Sequence, residues 1–160
     1  MLILGIDPGI VKTGYGLINI NNNVPTLIDY GIIAPNAKDQ ISSRLLSIYS
    51  DIEELINTFK PNVFSIEDVF YAKNFRSAML LGQARAVAIL CAEKYSVPIF
   101  EYSAKKVKQS VTGNGNSSKI QVQYMIQKML KIKNISMPVD SSDALAIALC
   151  HLNQLKVNEL

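Results

Sequence analysis

Three short apolar segments near the N-terminus, joined by connections too short to hold a helix, place the strongest constraint on the fold. They are residues 2–7, 15–20 and 26–34. A Pro-Gly turn follows the first segment, and an asparagine loop follows the second. Neighbouring parallel strands need a crossover of about a dozen residues or more. We therefore predict that the three segments form an antiparallel meander.

Helical and extended patterns alternate after the meander. A helix is predicted to begin at Ser42 or Ser43 and to end at Phe59, because its apolar residues recur at helical spacing. The apolar segments 63–67 and 98–102 are predicted strands. Further helices are predicted at 74–94, at 103–110, from a capping box at Ser118, and at 140–155. We expect an α/β fold with one mixed five-stranded sheet, as one domain over residues 1–155 with a tail at 156–160.

The composition argues against a disordered or membrane-spanning chain. Hydrophobic residues make up 49% of the sequence, enough for a folded core. No uninterrupted apolar run approaches the roughly 18 residues of a membrane helix, and the N-terminus does not resemble a signal peptide. Cys91 and Cys150 have neither metal-binding spacing nor a disulfide framework. We expect a cytoplasmic protein with reduced thiols and no membrane association.

Four carboxylates stand where apolar runs begin or end. Asp7 and Glu67 close predicted strands, and Asp140 and Asp143 open the last apolar stretch. Half-buried charge costs free energy unless a cation compensates it, and no basic residue lies within four positions of any of these acids. Oxygen ligands of this kind suit Mg²⁺. The pattern predicts a metal site, with helix capping as the alternative for the two aspartates of the helix.

A cationic segment accompanies the acids. Seven lysines and no acidic residue lie between Glu101 and Asp140. A polyanionic partner fits this division, because lysines would hold its phosphates while the carboxylates hold a metal at one of them. The alternative is a solvated lysine face.

Lys119 is an unusual member of this segment, because it falls in the first turn of a predicted helix, where the dipole disfavours cations. A bound phosphate would account for it; an ordinary surface lysine beside a flexible glycine-rich loop is the alternative. Phe70, followed closely by Lys73, could stack on unpaired bases or simply pack its loop. His151 lies about 16 Å along the last helix from Asp140 and is predicted not to share a metal with it.

The predicted helix at 74–94 is apolar around most of its circumference. In a domain of this size it must cover two surfaces, the sheet and either a partner subunit or more of the same chain.

Taken together, the motifs resemble those of a known family, the crossover-junction endodeoxyribonucleases of the RuvC type, or Holliday junction resolvases. The resemblance runs from Ile3 to about His151 and rests on seven motifs in family order. They are Gly5-Ile6-Asp7-Pro8-Gly9, Thr13-Gly14-Tyr15-Gly16, Ile66-Glu67-Asp68-Val69-Phe70, Leu81-Gly82-Gln83-Ala84-Arg85, Phe100-Glu101-Tyr102, Val107-Lys108-Gln109, and Asp140-Ser141-Ser142-Asp143-Ala144-Leu145-Ala146-Ile147-Ala148.

The resemblance implies a ribonuclease H-like fold and a homodimer that makes paired nicks in opposed strands of a four-way DNA junction during recombination and repair. It implies dependence on Mg²⁺ or Mn²⁺, with two ions per active site, and cooperation with the RuvA–RuvB branch-migration machinery. The four acids match the family's metal-binding catalytic residues.

The resemblance also assigns roles to the cationic and aromatic residues. Lys108 and Lys119 match lysines near the scissile phosphate, and we expect Lys119 to be catalytic. Phe70 matches an aromatic that stacks on bases at the junction centre. The full set of expected DNA contacts is Phe70, Lys73, Arg76, Lys105, Lys108 and Lys119.

Two departures from the family pattern and two rival functions remain. Ile10 replaces a small polar residue, and Ser141-Ser142 replaces an alanine pair, which should be harmless if both serines face outward.

One rival is a non-catalytic junction-binding protein. The other is an actin-like phosphotransferase, which shares the Asp-x-Gly turn but needs two such domains to enclose a nucleotide.

Overall fold

A mixed five-stranded sheet runs through the middle of the molecule in the computed structural model, which describes residues 1–68, 74–132 and 136–158, with side chains to residue 155. The strands are β1 (Leu2–Asp7), β2 (Thr13–Asn21), β3 (Val24–Ile33), β4 (Val63–Asp68) and β5 (Ile99–Ser103). The helices are α1 (Ile41–Phe59), α2 (Phe75–Lys94), α3 (Ala104–Thr112), α4 (Lys119–Met129) and α5 (Val139–Asn158).

The strand order β3-β2-β1-β4-β5 confirms the predicted topology. The first three strands pair antiparallel as a meander, and β4 and β5 add in parallel, since α1 and α2 supply the crossovers. The ladder between β1 and β4 ends at the pair Ile6 and Ile66. Asp7 and Glu67 are the next residues of the two strands, so the two carboxylates lie side by side at one edge of the sheet.

The alternation of side chains along the strands fills two cores. Ile3 and Ile18 pack with α3, α4 and α5 on one face, and Leu4 and Leu17 pack with α1 and α2 on the other. Asp7 has the parity of Ile3 along β1, so its side chain projects towards the face covered by α5.

Glycines let α5 lie directly against the sheet. A Cβ at Gly14 of β2 would stand 2.0 Å from the backbone oxygen of Asp140, and one at Gly5 of β1 would stand 2.2 Å from that of Ala144. No side chain larger than hydrogen fits between these backbones. The close approach brings the first turn of α5 to the strand end that carries Asp7, because Gly14 is paired with Asp7 in the β1–β2 ladder.

Helix ends agree with the sequence in part. The capping box of α4 is confirmed: Ser118 Oγ accepts from the Gln121 N–H, and Gln121 Oε1 accepts from the Ser118 N–H. The prediction that Ser42 or Ser43 caps α1 is wrong, because the N-cap is Gln40, whose side chain makes no capping bond. The last helix extends to Asn158, three residues beyond its predicted end.

The second helix is covered on one side only. Its small residues Ala84, Ala88, Cys91 and Ala92 pack into the core, whereas Met79 and Leu90 are 51% and 63% exposed. By its length and composition alone, α2 would be able to cross a membrane, although the sequence contains no uninterrupted apolar run of that length. Its contacts instead place it against the sheet and α1, and the alternative that the monomer buries it on all sides is wrong.

Candidate active site

A pocket of about 290 Å³ opens at the edge of the sheet where β1 and β4 end. It brings together Asp7, Glu67 and Asp143 with Lys108 and Lys119, residues from two strands and three helices. Its apolar floor comprises Ala104, Val107, Val122 and Ala146. The structure therefore unites three of the four predicted acids and both predicted phosphate-binding lysines in one concave site.

The turn after Asp7 is held by a buried threonine. Thr13 is fully buried; its Oγ1 donates to the Gly9 carbonyl at 2.8 Å and accepts from the Gly9 N–H at 3.2 Å. This pair of bonds closes the chain between β1 and β2. The backbone of Asp7 is thus fixed on both sides, by the β2 ladder and by the turn that follows.

Burial and the repulsion between like charges disfavour the ionised form of these carboxylates. Burial is the main cause that raises the pKa of Asp7 to about 8, and the negative charges of Glu67, Asp143 and Asp140 add to it. The pKa of Glu67 is also raised, first by burial and then by Asp143, while Lys119 opposes the rise. These carboxylates need additional positive charge to be ionised together near neutral pH.

Lys119 supplies part of that charge from the first turn of α4. Its Nζ donates to Asp143 Oδ2 at 2.7 Å, and this hydrogen bond is the main cause of a raised lysine pKa. The Lys119 side chain is 66% exposed, so it remains available to a ligand from solvent. The sequence suggested a bound phosphate beside this lysine, whereas its partner within the chain is a carboxylate 24 residues further on.

Asp140 lies one turn before Asp143 on α5 and is half-buried. Its backbone oxygen contacts the β2 backbone at Gly14, and its charge contributes to the raised pKa of Asp7. The charges of both aspartates therefore act on the same site, in addition to any role that either has in capping the helix.

The donor set fits a hard divalent cation, because all four predicted ligands offer carboxylate oxygens that already repel one another. Among the described residues, no three His, Cys, Asp or Glu side chains converge closely enough to coordinate one ion as they stand. The chemistry of the site thus suits a metal, although the carboxylates do not form a coordination cluster as they stand.

The remaining predicted DNA contacts are dispersed. Lys105 is exposed on α3 and lines a neighbouring pocket of about 450 Å³ with Lys106. Arg76 is exposed in the first turn of α2. Phe70 and Lys73 lie outside the described residues, so their predicted roles stay predictions.

Two further predictions can be compared with the structure. His151 is buried on α5, where its Nδ1 lies 2.7 Å from the Tyr102 hydroxyl and its ring packs against Phe100. Ser141 and Ser142 are buried, so the condition that they face outward is not met. Ser141 instead donates to the Gly31 carbonyl of β3 at 2.9 Å, and so ties the start of α5 to the sheet.

Sequence reasoning missed the residues that position the backbone of the acids without being part of the acidic site themselves. Gly14 was recognised only as part of a motif, although a glycine within an apolar strand is a known sign of close backbone approach. Arg85, whose Nε donates to the backbone oxygen of Glu67 at 3.2 Å, gave no comparable sign in the sequence.

Comparison with known proteins gives one consistent result. Residues 3–151 match the family model described as crossover junction endodeoxyribonuclease RuvC. The protein of that name from Ruminiclostridium cellulolyticum is 44% identical over 160 residues, which covers 100% of this chain and 96% of the relative. The one from Proteus mirabilis is 48% identical over 155 residues, covering 96% and 88%.

Solved structures agree with the sequence relatives. The fold superposes on Thermus thermophilus RuvC in complex with Holliday junction substrate with a TM-score of 0.92 and 27% identity, covering 99% of this chain and 96% of that one. The predicted ribonuclease H-like fold is thereby confirmed. The chain belongs to the RuvC family of crossover junction endodeoxyribonucleases, the metal-dependent nucleases that resolve Holliday junctions.

Proposed function

We propose that this resolvase cuts DNA at a metal site formed by Asp7, Glu67, Asp140 and Asp143. The observation that carries the proposal is the convergence of Asp7, Glu67 and Asp143 with two lysines in one pocket. The raised pKa of Asp7 supports it, because the buried carboxylate stands among other negative charges. An anionic cluster of this kind, in a pocket that two lysines also line, would hold a divalent cation beside a bound phosphate.

Mg²⁺ is the proposed ion, with Mn²⁺ as a substitute and two ions per site. When bound, such ions activate a water nucleophile and stabilise the departing 3′ oxygen of a phosphodiester. Asp7 and Glu67 would present their carboxylate oxygens from the ends of β1 and β4. Asp140 and Asp143 would close the site from α5, whose position against β1 and β2 is set by the glycine contacts.

Lys119 has the reach and charge to bind the reacting phosphate. We propose that, on binding DNA, its ammonium exchanges the Asp143 carboxylate for a phosphate oxygen, which frees that carboxylate for the metal. In this position it would stabilise the negative charge that builds on the phosphate in the transition state. Lys108, on the α3 wall of the same pocket, would hold the adjoining phosphate oxygen.

The remaining DNA contacts are proposed outside the pocket. Lys105 and Arg76, both exposed, would bind backbone phosphates of the junction arms. Phe70 would stack on bases at the junction centre, and Lys73 would bind a nearby phosphate.

A homodimer is proposed from the exposed face of α2. Met79 and Leu90 leave apolar surface in solvent on a helix whose other side is packed on the sheet. Twofold pairing through this face would place two identical sites on opposed strands, which accounts for paired nicks. We further propose that the dimer acts in the cytoplasm with RuvA–RuvB.

The proposal is tested with a synthetic four-way junction and a linear duplex of matched sequence. In Mg²⁺ we expect paired nicks in opposed strands of the junction and little cutting of the duplex. Glu67→Gln and Asp143→Asn should each abolish nicking and retain junction binding. Equal cutting of both DNAs would contradict junction selectivity, and full activity of either variant would contradict the proposed site.

A further inference from the structure

Arg85 secures the end of β4 from the side of the sheet opposite the active-site pocket. Its Nε donates to the backbone oxygen of Glu67 at 3.2 Å. Its Nη2 lies 3.6 Å from Asp68 Oδ1 and forms an ion pair with Glu101 Oε2. One guanidinium on α2 thus joins the end of β4 to the adjacent strand β5.

The end of β4 needs such support, because the sheet holds it on one side only. The β1 ladder stops at Ile66, whereas the β5 ladder continues to Asp68. The like charge of Asp143 also raises the pKa of Glu67, second to the effect of burial. Electrostatic repulsion therefore acts on a strand end that lacks one of its two neighbours.

The arginine is itself well anchored. Ala84 beside it and Ala88 almost one turn later are fully buried, which fixes this part of α2 against the core. The Arg85 side chain is 22% exposed, and carboxylates on β4 and β5 hold its planar group. A guanidinium offers several donors in a rigid arrangement, so one side chain can serve three acceptors at once.

We propose that Arg85 is a positioning residue for the metal site, which fixes the backbone of Glu67 and therefore the direction of its carboxylate. Glu67 projects towards the α5 face by strand alternation, while Arg85 approaches from the α2 face. Arg85 therefore touches neither the pocket nor the phosphate. The inference rests on the proposed role of Glu67 as a metal ligand.

Arg85→Met tests the inference, with Lys94→Met as the matched control, because methionine is a long side chain without an N–H to donate. Lys94 lies on the same helix and makes an ion pair with Glu53 at 2.8 Å, away from the pocket. In single-turnover nicking, Arg85→Met should raise the Mn²⁺ concentration that gives half-maximal rate by about tenfold or more. It should also lose most of the Mn²⁺-induced rise in Tm, while junction binding in EDTA is unchanged. Lys94→Met should lower Tm without changing the Mn²⁺ concentration that gives half-maximal rate.

A charge-balanced variant separates positioning from simple neutralisation. Arg85→Met combined with Glu101→Gln removes both members of the ion pair, and it carries the test if the single variant is too unstable. The Glu67 carbonyl still lacks its donor, so the raised Mn²⁺ requirement should persist. A wild-type Mn²⁺ requirement in the double variant, or in Arg85→Met alone, would overturn the inference. Failure of the wild-type protein to nick would instead overturn the proposed function.

Discussion

The ammonium of Lys119 lies 2.7 Å from Oδ2 of Asp143, which joins the first turn of α4 to α5 across the active-site pocket. A lysine and a proposed metal ligand thus neutralise each other before DNA arrives. This pairing offsets part of the negative charge that the acids bring to a partly buried site in the free protein. The lysine would take a second role once a phosphate replaces the carboxylate.

Replacing Lys119 by Met should slow nicking about 100-fold or more, because a charged donor to the transition state is lost. Junction binding should change little, since other lysines remain. Lys128→Met on the same helix is the control, because Lys128 lies over the Tyr124 ring and outside the pocket lining. Single-turnover rates measure both. Equal losses in the two variants would indicate a general charge effect and contradict the assignment.

Replacing Gly14 by Ala should separate α5 from the sheet. The new Cβ would stand 2.0 Å from the Asp140 backbone oxygen, so we expect a stability loss of about 1–3 kcal/mol and a larger loss of nicking. Gly113→Ala is the control, since it strains a residue with φ of 81° without touching α5 and should cost about 1 kcal/mol. Denaturant unfolding and nicking rates are compared at a temperature where both are folded. Normal nicking by Gly14→Ala would contradict the packing account.

Replacing Asp7 by Asn should stabilise the metal-free protein at alkaline pH. The folded-state pKa of Asp7 is raised from 3.8 to about 8, so the stability it contributes is full below about pH 4 and lost as pH rises to about 8. Asn lacks this titration. In EDTA, the Tm of the variant minus that of the wild type should therefore increase with pH over this range. A difference that is constant or decreases would contradict the raised pKa.

Metal binding should release protons near neutral pH. Asp7 is largely protonated below about pH 8 in the free protein, and a carboxylate must lose its proton to coordinate a cation. Calorimetric titration with Mn²⁺ at pH 7, in two buffers of different ionisation enthalpy, measures the number released. Asp7→Asn should release fewer protons and bind Mn²⁺ more weakly. Identical heats in both buffers for the wild type would count against this coupling.

Local signals predicted much of the architecture. The bounds of β1, the antiparallel meander and the Ser118 capping box all depend on residues within a few positions of one another, and all are confirmed. The start of α1 was misplaced, because two serines that could cap a helix stand just inside it and Gln40 does not have a capping side chain.

The same local signals could not predict contacts between residues that are distant in the sequence. The acids were identified from their places at strand and helix ends, which are local features. Their relation to Lys119, to the glycines under α5 and to Arg85 depends on which surfaces meet after folding. Periodicity reports which face of an element is buried, and it does not report which residue of another element lies against it.

The most direct test of the central claim compares wild type and Asp7→Asn on one radiolabelled four-way junction. Nicking is measured under single-turnover conditions in Mg²⁺, and binding is measured separately in EDTA. We predict that the variant binds the junction as the wild type does and makes no detectable nicks, because the cation loses a ligand fixed on β1. Nicking by Asp7→Asn at the wild-type rate would contradict the account.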